Sequence, residues 1–462
     1  MIPLSLAEVA AATGGRLDAV HDPQARVEGS VVADSRDAGP GGLFVAVPGE
    51  RVDGHDFARA ALDAGAVAVL AQRRVGVPAV VVDDTVAALG MLARAVLDRL
   101  DGPTVVGVTG SSGKTSTKDL LAQVLVARGP LVAPPGSYNT EVGVPLTLLS
   151  AEEKTRTLVV EMGARGAGHI ARLCRIAPPT IGVVLNVGSA HLGEFGDRDA
   201  IARSKAELVE ALPPEGTAVL NGDDPLVRRM AEQTQARVLM VGESVHADIR
   251  AENVVLDDDG RARFSLVTPD GAAEVRLGLV GAHQVANALA AAGAAHALDL
   301  EVAAVADALT GARALSHWRM EVTERGDGVT VVNDAYNANP ESMRAALKAL
   351  VAMSRGRRTW AVLGEMRELG EASAVEHDAL GRLAVRLDVN RLVAVGEGAR
   401  PIHLGAAHEG SWGDEAAWVP DIDAALELLR HEVRPGDVVL VKASRATGLE
   451  RLAGALLREV AA

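Results

Sequence analysis

Residues 107–121 read GVTGSSGKTSTKDLL, an apolar strand that runs through a Gly/Ser turn into a polar helix start. The common phosphate-loop spelling, G-x-x-x-x-G-K-[ST], would put a glycine at position 108. Here that position is Val108, and the extra glycine is Gly110. A strand ending at Gly110 and a helix starting near Gly113 leave unpaired backbone N–H groups aimed at one spot. That spot also feels the positive end of the helix dipole. Lys114 adds an ammonium for terminal phosphates, and the Thr115 hydroxyl can ligate Mg²⁺. Thr109, Gly110, Ser111, Ser112, Gly113, Lys114 and Thr115 are therefore the candidate ATP loop. The plain alternative is a turn that happens to precede Lys-Thr; the strand before it and the helix after it argue against that.

The surrounding chain is 462 residues long, which calls for more than one core. With 48% hydrophobic and 23% charged residues it reads as globular, and with 2% aromatics its cores must be built from Ala, Val and Leu. A formal charge of −15 excludes a nucleic-acid coat or an anionic membrane surface as partner, so bound phosphates must be met by local donors. The lone Cys174 rules out an intramolecular disulfide and fits a reducing cytosol. The opening MIPLSLAEVAAATGG lacks a basic start and carries Glu8, and the Ala-rich run near 281–300 is interrupted by His283, Gln284 and Asn287. The expectation is a cytoplasmic protein without membrane insertion, acting as a monomer.

Apolar strands alternate with helices along the whole chain. Residues 1–101 carry short Val/Ala strands such as GGLFVAVPGE, and DGP at 101–103 reads as a hinge. From 102 to 312, TLVVEMG, TIGVVLNVG, GTAVLNGDD and RVLMVG follow the loop strand, as in a parallel sheet covered on both faces. Around 245–280 the pattern turns shorter and polar-alternating, suggesting an antiparallel appendage. A third cycle over 313–462, with VTVVNDAY, RTWAVLGEM, NRLVAVGEG and GDVVLVKAS, suits a small doubly wound sheet. The fold class is α/β in three domains: a central P-loop ATPase-type parallel sheet, a small amino-terminal α/β domain and a Rossmann-like carboxy-terminal domain.

Magnesium needs ligands beyond Thr115, and two strand ends offer them: Glu161 in VVEMGARG and His191 in LNVGSAHLGEFG. Only six of the 46 basic residues are lysines: Lys114, Lys118, Lys154, Lys205, Lys348 and Lys442. Where arginine is so preferred, a lysine can mark a need for a primary amine. Lys114 fits; Lys118, Lys154 and Lys348 read as plain surface charges.

Taken together, GVTGSSGKTSTKDLL, SYNTEVGVPLTLL, VVEMGARG, LNVGSAHLGEFG and AIARSKAEL resemble the central ATPase domain of the Mur ligase family, which uses this loop variant. NDAYNANPESM, AVLGEMRELG and VLVKASRATGLE resemble its D-alanyl-D-alanine-adding branch, and DSRDAGPGGLFVAVPGERVDGHDF resembles its uridine-binding amino-terminal domain. The resemblance runs almost end to end, in order. It departs at Thr140, where a second Asn would stand after Asn139, and at Ala443, where Gly is usual.

The resemblance implies ATP-dependent amide formation through an acyl phosphate, joining D-alanyl-D-alanine to UDP-N-acetylmuramoyl-tripeptide. It assigns catalysis to Lys114, His191 and Lys205, with Lys205 carbamylated. Mg²⁺ goes to Thr115, Glu161, His191 and the Lys205 carbamate. Asn287, Arg319 and Asp334 join the ATP loop. Ser35, Arg36, His55, Asn139 and Thr140 face the UDP substrate, and Tyr336, Asn337 and Asn339 face the acceptor, with Lys442, Ser444 and Arg445 at a closing interface. Two rivals remain: a same-fold ligase with another acceptor, such as a diaminopimelate- or lysine-adding Mur ligase or a folylpolyglutamate synthase, and a nucleotide-binding scaffold without chemistry.

Overall fold

The computed structural model describes residues 1–49, 52–189, 192–411 and 413–458. Three large sheets with helices between their strands carry the described residues, and a small antiparallel pair, Leu4–Ser5 with Arg26–Val27, accompanies the first. The first runs in the order Arg16–Asp18, Ala79–Val81, Ala68–Ala71, Leu43–Val45, Val31–Val32, parallel except for the antiparallel edge strand Arg16–Asp18.

The central sheet has nine strands. Its inner strands Thr104–Thr109, Thr157–Glu161 and Ile181–Val184 are buried almost throughout, as both-face coverage requires. Thr104–Thr109 lies between the other two, parallel to both. The chain therefore leaves this strand to build on one side and later on the other, which opens a crevice at its carboxyl end. The phosphate loop occupies that crevice.

The segment expected as an antiparallel appendage does pair antiparallel within itself, but it is continuous with the central sheet. Ile249–Leu256 joins the sheet parallel to Arg237–Gly242, and only Arg261–Thr268 and Gly271–Val280 turn antiparallel. These are full-length strands of 8, 8 and 10 residues that prolong the central sheet. Their polar alternation reflects an edge region with one face covered.

The third sheet orders Glu321–Glu324, Thr330–Asn333, Val438–Lys442, Thr359–Leu363, Arg391–Val395 and Ala416–Val419; only the first pair is antiparallel. The first and central sheets share one apolar core, in which Leu92, Val96 and Leu97 cluster with Leu148, Leu149, Leu173 and Cys174. The third sheet has two apolar layers of its own, and of the central sheet only Val280 enters them.

Candidate active site

Val108 is fully buried mid-strand, so the bend falls two residues later than in the common loop, at Gly110. A Cβ at Gly110 would lie 2.9 Å from the Leu185 Cβ. Gly113 begins the helix Lys114–Val124 with φ +81°, and a Cβ there would sit 2.4 Å from Asn287 Oδ1. Both positions therefore demand glycine. Asn186 braces the loop: its Oδ1 accepts from Ser111 N (3.1 Å) and Ser112 N (3.0 Å), and its amide donates to the Ser112 carbonyl (3.2 Å). Asn186 carries no charge and was not singled out from the sequence, although it lies within LNVG.

Beneath the loop, Glu161 is completely buried. Its Oε2 accepts from Thr115 Oγ1 (2.9 Å), and its Oε1 accepts from Ser137 Oγ (2.8 Å) and Asn139 Nδ2 (2.7 Å). The Asn139 side chain, expected to face the UDP substrate, is anchored on Glu161 at the phosphate site through its amide nitrogen. Ser137, which sequence reading missed, joins it there. One buried carboxylate with two hydroxyls suits a magnesium ion that takes its remaining oxygens from phosphate and water. No three His, Cys, Asp or Glu side chains cluster as a metal site among the described residues. His191 lies outside the described residues.

Lys114 Nζ donates to the Gly110 carbonyl at 2.6 Å. Burial pushes its amine below the ordinary lysine range, Glu161 opposes the shift and Arg319 adds to it. Lys205, on the helix Arg198–Glu210, is 6% exposed. Burial, and then the Lys114 charge, hold its amine well below the ordinary range. Lys114, Lys205 and Arg319 thus bring positive charge together near Glu161 inside an acidic chain. Arg319 Nε and Thr109 Oγ1 are buried without partners among the described residues, as groups awaiting a polyphosphate would be.

Segments flanking the third sheet reach this loop directly. Arg319 Nη2 donates to Thr115 Oγ1 at 3.2 Å, and its guanidinium lies 4.2 Å above the Tyr336 ring. Glu341 Oε1 accepts from the backbone and hydroxyl of Ser189, both at 2.9 Å. Asp334 is engaged within its own unit, Oδ1 by Met320 N (3.0 Å) and Oδ2 by Lys442 Nζ (2.5 Å). Asn339 caps the helix Pro340–Ala352 through Oδ1, and its amide donates to the Ser111 carbonyl (3.3 Å); it docks the third unit on the loop. Tyr336 is half-buried and Asn337 is exposed beside it, while the Asn337 carbonyl accepts from Lys442 Nζ (2.9 Å). Arg445 stacks 4.2 Å over Trp318, and Ser444 Oγ accepts from Arg367 N (3.0 Å). Asn287 packs behind the loop, accepting from Thr117 Oγ1 (3.3 Å) and donating to Gln284 (2.9 Å). Lys118, expected as surface charge, is 1% exposed.

A cleft of about 1060 Å³ opens between the first and central sheets, lined by Ser35, Arg36, Thr140 and Ser137 among others. Phe44, Phe57 and Tyr138 also line it, three of only ten aromatic residues in the chain. Phe57 and Tyr138 are 39% and 42% exposed. Arg36 pairs with Asp34, whose carboxyl it pushes down to about 2. His55, expected at the UDP substrate, is buried, with Nδ1 at 2.6 Å from Asp53 Oδ1 and Nε2 accepting from Gln72 N at 2.9 Å. Neither nitrogen is left for a ligand.

Family models match three stretches: the Mur ligase family catalytic domain over 29–96, the Mur ligase middle domain over 108–295, and the Mur ligase glutamate ligase domain over 318–445. The chain is 52% identical to the UDP-N-acetylmuramoyl-tripeptide–D-alanyl-D-alanine ligase of Mycobacterium tuberculosis (strain ATCC 25618 / H37Rv), covering 99% of this chain and 98% of that one. The crystal structure of MurF from Acinetobacter baumannii superposes with a TM-score of 0.86 at 32% identity, covering 99% of each chain. MurF ligase from Thermotoga maritima in complex with ADP gives 0.78 at 34% identity, covering 92% of this chain and 96% of that one. Residue motifs, site geometry and full-length similarity agree: the chain belongs to the Mur ligase family.

Proposed function

We propose that the chain uses ATP to join D-alanyl-D-alanine to UDP-N-acetylmuramoyl-tripeptide, forming the amide in a peptidoglycan precursor. The observation that carries this reading is the composite site, in which Arg319, on the segment that enters the third sheet, donates to Thr115, whose hydroxyl in turn donates to Glu161 beneath the phosphate loop. Full-length identity to the D-alanyl-D-alanine ligases supports the choice of acceptor.

A carboxylate does not acylate an amine, because its oxygen is a poor leaving group. The terminal carboxylate oxygen of the tripeptide attacks the γ-phosphorus, the bond to the bridging oxygen breaks, and ADP leaves. The dipeptide amine then attacks the acyl carbon, phosphate departs and the amine loses a proton. Two anions must approach in the first step, so fixed positive charge is the main requirement. Lys114 and Arg319 supply it at the phosphates, with loop amides held in place by Asn186. Magnesium, held by Thr115 and Glu161 with Ser137 beside them, would neutralise phosphate charge when bound. His191 and a carbamate on Lys205 would support a second ion. The depressed basicity of Lys205 suits this, because only the neutral amine attacks CO₂, forming a carbamate and releasing a proton.

The uracil ring is assigned to the aromatic-lined cleft by Ser35 and Arg36, and the peptide runs past Thr140 toward Ser137. Tyr336 and Asn337 face the acceptor. Every group named comes from one chain, so the reading needs no second copy. We place the reaction in the cytoplasm, where ATP is made; no helix among the described residues is long and apolar enough to cross a membrane.

The test is phosphate release from ATP with UDP-N-acetylmuramoyl-tripeptide and D-alanyl-D-alanine, D-alanine or diaminopimelate. Turnover should require the dipeptide; preference for a single amino acid would assign the chain to another branch. Lys205→Ala should lose most turnover, by on the order of 100-fold, and regain part of it with short carboxylic acids. Wild-type rates in that variant would remove the carbamate from the scheme.

A further inference from the structure

The phosphate-loop helix carries a buried ion pair, Lys118 with Asp119, that no step above uses; the two residues are 1% and 2% exposed. Both reach outward to the linker that enters the third sheet. Lys118 Nζ donates to the Pro134 carbonyl (2.8 Å) and to Ser316 Oγ (3.1 Å). Asp119 Oδ2 accepts from Leu315 N (3.3 Å) and Ser316 N (2.9 Å), and Oδ1 accepts from Ser316 Oγ (3.0 Å). Backbone and side chain of Ser316 are thereby fixed one helical turn beyond Thr115.

Three residues further on stands Arg319, the linker group that returns to Thr115. Its neighbours Trp318 and Met320 have φ of +58° and +50°, a left-handed backbone that bulky side chains rarely adopt. Such conformations persist only where surroundings over-determine them. Here Trp318 N donates to Glu321 (3.1 Å), Met320 N donates to Asp334 (3.0 Å), and Lys442 holds Asp334 in turn. The upstream end of this strained segment is held by Lys118 and Asp119.

We propose that Lys118 and Asp119 are positioning residues that clamp the linker at Ser316 and so aim Arg319 at the phosphate site. Burying an ion pair is weak support for stability compared with apolar packing, so its directed hydrogen bonds are the more telling property. The proposal rests on the reading of Arg319 as a phosphate ligand of the ligase.

A double-mutant cycle tests it in the full-length chain. Arg319→Ala should lower kcat by on the order of 100-fold. Ser316→Ala, the mildest cut, and the charge-neutral pair Lys118→Met/Asp119→Asn should each lower kcat roughly 10-fold or more and raise the KM for ATP, because a small misplacement of a charged group is enough. The KM for the UDP substrate should stay constant. In the Arg319→Ala background the same changes should cost little more, as residues acting as one unit do. Thermal unfolding separates folding defects, and Ser316→Ala remains informative if the pair variant is unstable. Full additivity with Arg319→Ala, or lowered stability with unchanged kcat and ATP KM, overturns the proposal. A wild-type chain that turns over no ATP with any acceptor sinks the ligase reading and this proposal with it.

Discussion

Where the first sheet meets the central one, Leu92, Val96 and Leu97 share a core with Leu148, Leu149, Leu173 and Cys174. Where the third meets it, the bonds run from Arg319 to Thr115, Asn339 to Ser111, Glu341 to Ser189 and Arg355 to Asp259. Burial of apolar surface is lost in proportion to the area exposed, at about 25 cal/mol per Å². A hydrogen bond exchanged for water costs only about 1 kcal/mol net. The first seam is therefore a fixed joint and the second a latch. The cleft assigned to the UDP substrate has walls on both sides of the fixed joint, whereas the phosphate site is completed across the latch. A latch can open for ligands and close to exclude water that would hydrolyse an acyl phosphate.

The comparison is broken most severely at the floor of the latch. Glu161→Gln keeps the shape but removes the charge that suits a metal, and it sets an amide NH₂ against donors from Thr115, Ser137 or Asn139. Turnover should fall by on the order of 100- to 1,000-fold, with the chain still folded. Steady-state kinetics within tenfold of wild type would remove Glu161 from the site.

A cut in the fixed joint should do the reverse. Leu92 is fully buried there, and Leu92→Ala should cost about 2–5 kcal/mol in denaturant unfolding. Activity per folded molecule should stay near wild type. A fall in kcat with stability intact would mean that the fixed joint moves during turnover.

Glu341→Gln weakens the latch without touching the floor. Losing a charge-assisted bond to Ser189 should cost about 1 kcal/mol, roughly fivefold in kcat/KM for ATP, and should shift small-angle scattering toward open forms. Unchanged kinetics and scattering would show that the bond contributes nothing to docking.

The same contrast explains what could be read from the sequence. The loop and Glu161 stand out in the sequence because they sit at strand ends with chemically demanding residue types, whereas Lys205, inside a helix, is singled out only by the family resemblance. The three sheets followed from apolar runs with helices between them. Orientation was not legible: His55 lies in the stretch resembling a uridine-binding domain, yet its ring turns inward to Asp53 and Gln72. For Asn139 and Asn339 the protein partners could not be read, because an amide can bond to ligand, carboxylate or helix end alike. Lys118 looked like surface charge because nothing near it in sequence shows that residues 315–316 fold back to cover it. Ser137, Asn186 and Glu341 act across gaps of 22 to 152 positions, beyond any local pattern.

Cys174 offers the gentlest probe, because it sits inside the fixed joint and is the chain's only thiol. Burial, with help from Glu207, pushes its pKa up to about 12, and Arg175 only partly opposes this. The buried thiol therefore stays protonated near neutral pH, and a disulfide reagent has almost no nucleophile to meet in the native chain. Labelling must wait for the joint to open, so its rate should follow the ordinary thiol titration of the opened chain, with an inflection near about 8.5, scaled down by the small fraction open. Leu92→Ala should speed labelling in step with its lost stability, whereas Glu341→Gln should leave it within about twofold of wild type, since the latch belongs to a separately opening unit. Equal acceleration by both variants would mean that the two seams open together, and the distinction between joint and latch would fail.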